Sequence, residues 1–442
     1  MATSFQQWLK QSQLLRIFIL GILVLLLQIP LFQISDLVYE RESRKEQTAG
    51  EIANKWGNSQ ILFGPSIYIP YTTHHVNNET GKVISKHHWY VILPEAMSTM
   101  ANLSIEKRYR SLYEIPVYQA DVSIKGHFQL PETTPDGLQW DKAIVAIKLN
   151  DSKALISGKV QWNSHPLNFQ PGSPHLPGDI QYLHSKLQID ETSTSHTYNI
   201  QLKFNGTDEL YIAPIGNEST ISIGGNWADP SFQGNWLPQQ RDIIDTEFNS
   251  KWQVPFLSRN IPQYWNDAND FTDALANSVV GVKLTTPTDV YRQIHRAIKY
   301  DLLFIALTFI VIWLWEAMGR LTVHYIQYLL IGAGLCMFYL LTLALAEHIG
   351  FIAAYILASS SVILMITSYA WSVLKTPFRA LLLGIILICL YGFLYTLLQE
   401  RDYSLLLGSV GLFAALSAIM FCTRKIDWNS KSNELINSNT QK

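Results

Sequence analysis

Side chains able to do chemistry fall in three groups along the chain. The first is a histidine bracket: His74-His75 and His87-His88 flank the polar run Val76–Lys82, which contains Gly81. A turn centred near Gly81 sets His74 opposite His88 and His75 opposite His87, and opposite residues of a ladder share a side. Each side then carries two imidazoles, ligands suited to zinc, copper or nickel. A closed structural zinc site takes four ligands, and a slip of one residue undoes the pairing. The plain reading is a polar hairpin, so His74, His75, His87 and His88 are weak metal candidates, and no metal or other cofactor is expected. The second group is Trp227, Phe232 and Trp236, in a segment that also holds Pro230 and Pro238. It reads either as a stiff aromatic ledge for a glycan, a lipid or a protein, or as a loop whose rings are pegs in their own domain. The third is Glu316, Glu347 and His348, ionisable groups at the ends of apolar runs. Charge deep in a bilayer is costly and usually functional, which makes Glu347 and His348 candidates for a polar relay. They sit at span ends, where water is near, and the plain reading is interfacial placement.

No stretch matches G-x-S-x-G, H-E-x-x-H or the Walker A pattern. Ser372-Val373-Leu374-Lys375 has the Ser-x-x-Lys spacing without its companion elements, and an enzyme is not expected. Net charge is −2 and no long basic stripe is present, so nucleic acid is not an expected partner. The three cysteines, Cys336, Cys389 and Cys422, all lie in or at the ends of apolar runs. The polar segment between those runs must hold its fold without disulfides, and its length allows that.

The elements that position these groups follow from the spacing of the apolar runs. One lies near the N-terminus, and five more are packed between Leu302 and Cys422. Each is close to the ~20 residues a helix needs to cross a bilayer core. The mean hydropathy of +0.09 averages a polar domain against a hydrophobic bundle. The expected spans are 15–35, 301–318, 325–345, 350–371, 379–398 and 404–422. The first lacks a small-x-small cleavage site after its apolar run and reads as an uncleaved anchor. Arg320 with His324, Lys375 with Arg379, and Arg424, Lys425 and Lys431 mark one set of short loops. The opposite set carries only Arg401 among acidic neighbours, so the positive-inside rule places both termini in the cytoplasm. Arg41, Arg44, Lys45, Arg292, Arg296 and Lys299 dissent, but they border a long segment that largely escapes the rule.

The expected order is a cytoplasmic N-terminus (1–14), an anchor helix (15–35), a periplasmic β-rich domain (36–300), a five-helix bundle (301–422) and a cytoplasmic tail (423–442). Ala49, Ile52, Ala53 and Trp56 extend the first helix toward residue 57, and 289–300 reads as a helix feeding straight into the second span. Between them, short alternating stretches such as Val117–Leu130 and His196–Phe204 are separated by Gly, Pro, Asn and Ser. This pattern is that of an antiparallel, sandwich-like β-domain, open between one lobe and two, with a division near 165–178. The fold class is thus an α+β membrane protein with six transmembrane helices, one before the β-domain and five after.

The second half of the chain carries Arg296-Ala297-Ile298-Lys299-Tyr300, His324-Tyr325-Ile326-Gln327-Tyr328, Glu347-His348-Ile349-Gly350-Phe351 and Thr423-Arg424-Lys425-Ile426-Asp427-Trp428. With Phe63-Gly64-Pro65, Leu93-Pro94-Glu95 and Pro230-Ser231-Phe232 earlier, nearly the whole chain resembles the CreD family of bacterial inner-membrane proteins. Two departures stand out: Tyr325 follows His324 where the family usually has Pro, and Asp151-Ser152-Lys153-Ala154 replaces a turn more like Arg-Gly. The resemblance implies a role in cell-envelope integrity, linked to envelope stress and β-lactam response, and no known catalytic activity. The favoured expectation is a non-enzymatic protein whose β-domain contacts a periplasmic protein, a lipid or a glycan, with the lipid bilayer itself a partner. The competing expectation is a bundle that moves or modifies a small or lipidic substrate along a path through Glu347 and His348.

Overall fold

The computed structural model describes residues 13–76, 83–172, 182–189, 193–259, 261–266, 271, 274, 277–285, 290–319, 323–374, 376–400 and 403–424. The loop charges Arg320, Lys375, Arg401, Lys425 and Lys431 lie outside these residues, as does the expected hairpin turn at Gly81. The chain forms two compact units, Met1–Arg44 with Thr288–Lys442, and Lys45–Pro287.

In the first unit, helix α1 (Gln13–Trp56) continues past its apolar run as its helical spacing foretold. Its buried Leu27, Leu31, Ile34 and Val38 recur at 4-3-4 spacing, the narrow stripe of a helix packed along one seam. Gly332 makes room for that seam, since a Cβ there would meet Leu27 Cδ1 at 2.2 Å. Helices α2 (Val290–Ile298) and α3 (Asp301–Gly319) meet at a 46° bend. This corrects the expectation of a straight run into the second span. The turn falls where the composition changes: α2 buries Tyr291, Ile294 and Ala297 along one face and keeps charges on the other, whereas α3 is apolar nearly throughout. Then come α4 (Tyr325–Ile349), α5 (Phe351–Leu374), α6 (Pro377–Gln399) and α7 (Ser404–Thr423). Among the described residues five helices are long and apolar enough to cross a membrane, and six if the bent α2–α3 pair is one span, in agreement with the one-plus-five reading. At the start of α4 the His324 side chain accepts from the Ile326 N–H, and Gln327 returns a bond to the His324 N–H, a reciprocal cap. Tyr325 occupies the first helical position, where Pro is otherwise well suited, and the cap starts the helix without it.

The second unit holds the strands β1 (Gln60–Val76), β2 (Val83–Ile92), β3 (Ala96–Arg110), β4 (Tyr113–Gln129), β5 (Ile144–Leu149), β6 (Leu155–Trp162), β7 (His165–Leu167), β8 (Gln170–Pro171) and β9 (Tyr182–Lys186). After them come β10 (Ser195–Thr207), β11 (Glu209–Ile212), β12 (Glu218–Gly225), β13 (Pro230–Gly234), β14 (Gln240–Ile244), β15 (Glu247–Pro255), β16 (Tyr264–Asn266) and β17 (Val280–Leu284). One sheet runs β13-β17-β11-β1-β5-β9-β8, with β2 branching from β1 and β16 paired to β2; the other runs β14-β15-β12-β3-β4-β10-β6-β7. The main hydrophobic core among the described residues draws on both sheets, from Ile67 and Val145 of one to Ile124, Ile200 and Trp252 of the other. The sandwich reading holds, but the sheets are mixed: β1 pairs parallel with β11, and β12 parallel with β3. The suggested lobe division at 165–178 falls on β7, β8 and residues outside those described. The departure at Asp151 serves this unit internally, because its Oδ2 accepts from the backbone N–H and side-chain amide of Asn58 at 3.1 and 2.9 Å.

Two reciprocal tyrosine–glycine pairs join β4 to β10. Tyr118 stands opposite Gly206, and Gly126 opposite Tyr198. Each ring lies over the bare backbone of its partner and reaches beyond it: Tyr118 donates to the Glu209 carbonyl at 2.7 Å and Tyr198 to the Ala96 carbonyl at 3.0 Å. Burial pushes both phenols well above their ordinary pKa, so both remain hydrogen-bond donors.

Candidate functional site

The most polar constellation in the helical unit gathers at the end where α1 presents Tyr39, Arg41 and Glu42. Helix α2 faces it with Tyr291 and His295, four residues apart and so on one face. Glu347, in the last turn of α4, is 8% exposed at its side chain, accepts from the Tyr291 hydroxyl at 3.0 Å and lies 3.8 Å from Arg41. The His295 ring lies tilted at 44° against Tyr39, with ring centroids 4.1 Å apart, and holds Nε2 3.5 Å from Glu42. Arg296 donates to the carbonyls of Leu397, Leu398 and Glu400 at 2.7–3.1 Å, capping the C-terminus of α6 where a cation is favoured. Three carboxylate or carbonyl anchors thus tie α2 to α1, α4 and α6. This arrangement suits a fastening that keeps charge satisfied in low dielectric.

Glu347 and His348 do not come together. Glu347 is buried among partners on two other helices, whereas His348, next along the helix, is exposed. Glu347→Ala therefore leaves a buried tyrosine hydroxyl without its acceptor, at a cost of roughly 1–3 kcal/mol. His348→Ala should fall within about 0.5 kcal/mol of the parent. Thermal unfolding of the purified full-length protein in detergent measures both. Equal effects of the two substitutions would contradict the fastening.

A second buried carboxylate closes the bundle about 25 residues earlier along α1, roughly 37 Å away at helical rise. Glu316 is paired with Arg16 and accepts from the Val323 N–H and the Tyr328 hydroxyl, each at 3.2 Å.

The histidine bracket has a different register from the expected one. His74 pairs with Ser85, His75 with Ile84, Thr72 with His87 and Tyr71 with His88. His74 Nδ1 meets Ser85 Oγ at 2.9 Å, while the His88 ring stacks on Tyr71 at 5.2 Å. Among the described residues no three of His, Cys, Asp and Glu are grouped to hold a metal ion. The aromatic segment is not a loop: Pro230–Gly234 forms edge strand β13 against β17. Trp227 is buried and donates to the Thr285 carbonyl. Phe232 packs edge-on against Phe248 and Trp252, and the Trp236 carbonyl accepts from Trp252. These contacts are those of pegs in the domain's own core.

Sequence reasoning missed Tyr39, Glu42, Tyr291, His295, Arg16 and Tyr328. The signal was present in the basic clusters at Arg41–Lys45 and Arg292–Lys299. Charge beside an apolar run needs a partner, and those clusters border the carboxylates that supply it.

A bundle of apolar helices with a two-sheet β-domain inserted after the first defines a multi-pass integral membrane protein. The family model described as Inner membrane protein CreD matches residues 12–429, and the chain belongs to that family. It is 33% identical over 415 residues to Inner membrane protein CreD of Escherichia coli (strain K12), covering 92% of this chain and 91% of that protein. Family and helices together place it in the bacterial inner membrane. Among solved structures, an M1 zinc metallopeptidase from Deinococcus radiodurans is 9% identical, covers 48% of this chain and 53% of its own, and has a TM-score of 0.21. Native yeast LTA4 hydrolase is 12% identical, covers 48% and 35%, and has a TM-score of 0.22. Likeness at that level carries no argument about this protein.

Proposed function

We propose that the protein is a non-enzymatic component of the bacterial envelope whose β-domain faces the periplasm. It supports envelope integrity, and response to envelope stress and β-lactams, by contacting an envelope component. The observation that carries this reading is the face of the eight-stranded sheet turned away from the core. Along β3, inward Met97, Thr99, Ala101 and Leu103 alternate with outward Ser98, Met100, Asn102 and Ser104. Two shallow clefts of about 210 and 280 Å³ flank Met100 and Asn102. Their other walls mix apolar Ile223 and Leu202 with polar side chains, including Gln240, Asn249 and Lys251 on one side and Ser123, Lys159 and Gln201 on the other. A broad surface rich in amides and hydroxyls is suited to polar recognition by a protein or glycan. The short-loop charges supply the orientation.

In-cell photocrosslinking from Met100, with a control at the highly exposed Leu257, tests the contact. A discrete protein or glycan adduct at Met100 and none at Leu257 is expected. Adducts at both positions, or unimpaired growth of a deletion strain under detergent and β-lactam challenge, would sink the reading.

A further inference from the structure

Beside the fastening at Glu347, α1 and the α2–α3 elbow enclose a cleft of about 430 Å³. Its walls grade from apolar to charged. Phe32, strongly exposed on α1, lies toward the apolar run, while Tyr39 stands past the end of that run, level with His295. Arg292 and Lys299 are exposed on the elbow side, Lys299 two residues before the apolar helix α3 begins. A cleft with a greasy end and a cationic rim at the start of a membrane helix matches an amphiphile, not a soluble metabolite. Two buried nitrogen donors lie in its lining, each beside one carboxylate. His295 Nε2 is buried without a hydrogen bond, its nearest acid being the Glu42 carboxylate at 3.5 Å. Gln28 Nε2 is likewise buried, with the Asp301 carboxyl as its hydrogen-bond partner, which leaves the amide a second N–H to give. Both nitrogens can donate to oxygens that enter the cleft.

We propose that this cleft binds the phosphate headgroup of an anionic phospholipid. Arg292 and Lys299 draw the phosphate, the two buried nitrogens receive headgroup oxygens, and an acyl chain runs down beside Phe32. Basic pockets between membrane helices recognise acidic lipids in this manner. The proposal depends neither on which way the β-domain faces nor on its partner.

The test uses the full-length protein in phosphatidylcholine nanodiscs containing a trace of diazirine-bearing phosphatidylglycerol, followed by peptide mapping. Adducts should concentrate in peptides covering 28–42 and 292–301 and be competed by unlabelled phosphatidylglycerol. They should fall roughly fivefold in Lys299→Glu, the scale of one lost cation at a lipid surface. Phe32→Ala should weaken labelling as well; both side chains are exposed, so both variants retain the fold. Three results would each overturn the proposal. They are labelling spread evenly over the lipid-facing helices or unchanged in both variants, equal competition by phosphatidylcholine, and displacement by inorganic phosphate alone, which would reveal a headgroup-only anion site.

Discussion

Replacing Gly126 or Gly206 by alanine should cost the β-domain about 3 kcal/mol or more, at the top of the range for overpacked cores. A Cβ on Gly126 would lie 1.9 Å from the Ala96 carbonyl oxygen and 2.5 Å from the Tyr198 hydroxyl. A Cβ on Gly206 would lie 2.3 Å from the Tyr118 ring. Tyr118 is fully buried, so neither ring can swing into solvent to make room. The two sites differ in a way that tests the account. At Gly206 all three close atoms belong to the tyrosine, so shrinking Tyr118 in a double variant should recover part of the loss, a coupling of about 1–3 kcal/mol. At Gly126 the nearest obstacle is backbone, and no change to Tyr198 relieves it. Gly158→Ala is the control, since a Cβ there meets only side chains at 3.3 Å and beyond, and it should cost no more than about 1 kcal/mol. Tryptophan-fluorescence unfolding of the full-length protein reads all four variants. A Gly126→Ala protein as stable as Gly158→Ala would show that the pairs carry no packing constraint.

These pairs mark the limit of what was legible. The alternation Val122, Ile124, Gly126 assigned the glycine to the inward face, but nothing local says that Tyr198 lies across it. That fact belongs to a strand pairing made about seventy residues away. The same limit explains the histidine bracket, whose register is fixed at its buried end. There Ile67 pairs with Ile92 and Ile69 with Tyr90, and a buried face specifies pairing far more strongly than a polar turn. Centring the turn on Gly81 therefore misplaced His74 by three residues, opposite His88 instead of Ser85. The parallel pairings of β1 with β11 and of β3 with β12 were hidden for a related reason. Period-two alternation looks the same in either direction, and Gln60 meets Leu210 only through the tertiary fold. Strand β13 was masked by Pro230 and Gly234, which an edge strand tolerates. The spans were legible because a bilayer imposes a length and a composition that need no partner to be seen. Of the polar site, the charges could be read and the pairs could not. Tyr291 and Glu347 are distant in sequence, and their meeting depends on the elbow between α2 and α3.

The other large expected effect is at the opposite end of α1. Arg16→Ala should destabilise the helical unit by about 3–5 kcal/mol, the cost of stripping a buried charge of its counter-ion. Glu316 is only 5% exposed at its side chain, and without Arg16 it keeps two bonds, from the Val323 N–H and the Tyr328 hydroxyl. Two neutral donors do not compensate a carboxylate in a site of low dielectric. The converse substitution should be milder. Glu316→Gln keeps an amide oxygen for the Val323 N–H and sets an NH2 against the Tyr328 hydroxyl, which can turn to accept, and Arg16, 23% exposed near the start of its helix, can extend its head toward the interface. Arg16→Lys restores charge without the planar fork and should fall between parent and Arg16→Ala. The asymmetry separates a latch from a bystander. If Arg16→Ala and Glu316→Gln cost the same in detergent unfolding of the full-length protein, the ion pair is not what holds this end. If the ordering is as expected, α1 is fastened by a carboxylate at both ends of its apolar stretch, through Glu316 to α3 and α4 and through Glu347 to α2 and α4. Its seam of Leu27, Leu31, Ile34 and Val38 is narrow for a helix of its length, and between nonpolar helices in lipid the hydrophobic effect adds little. Polar latches at the two ends are then what fixes its register.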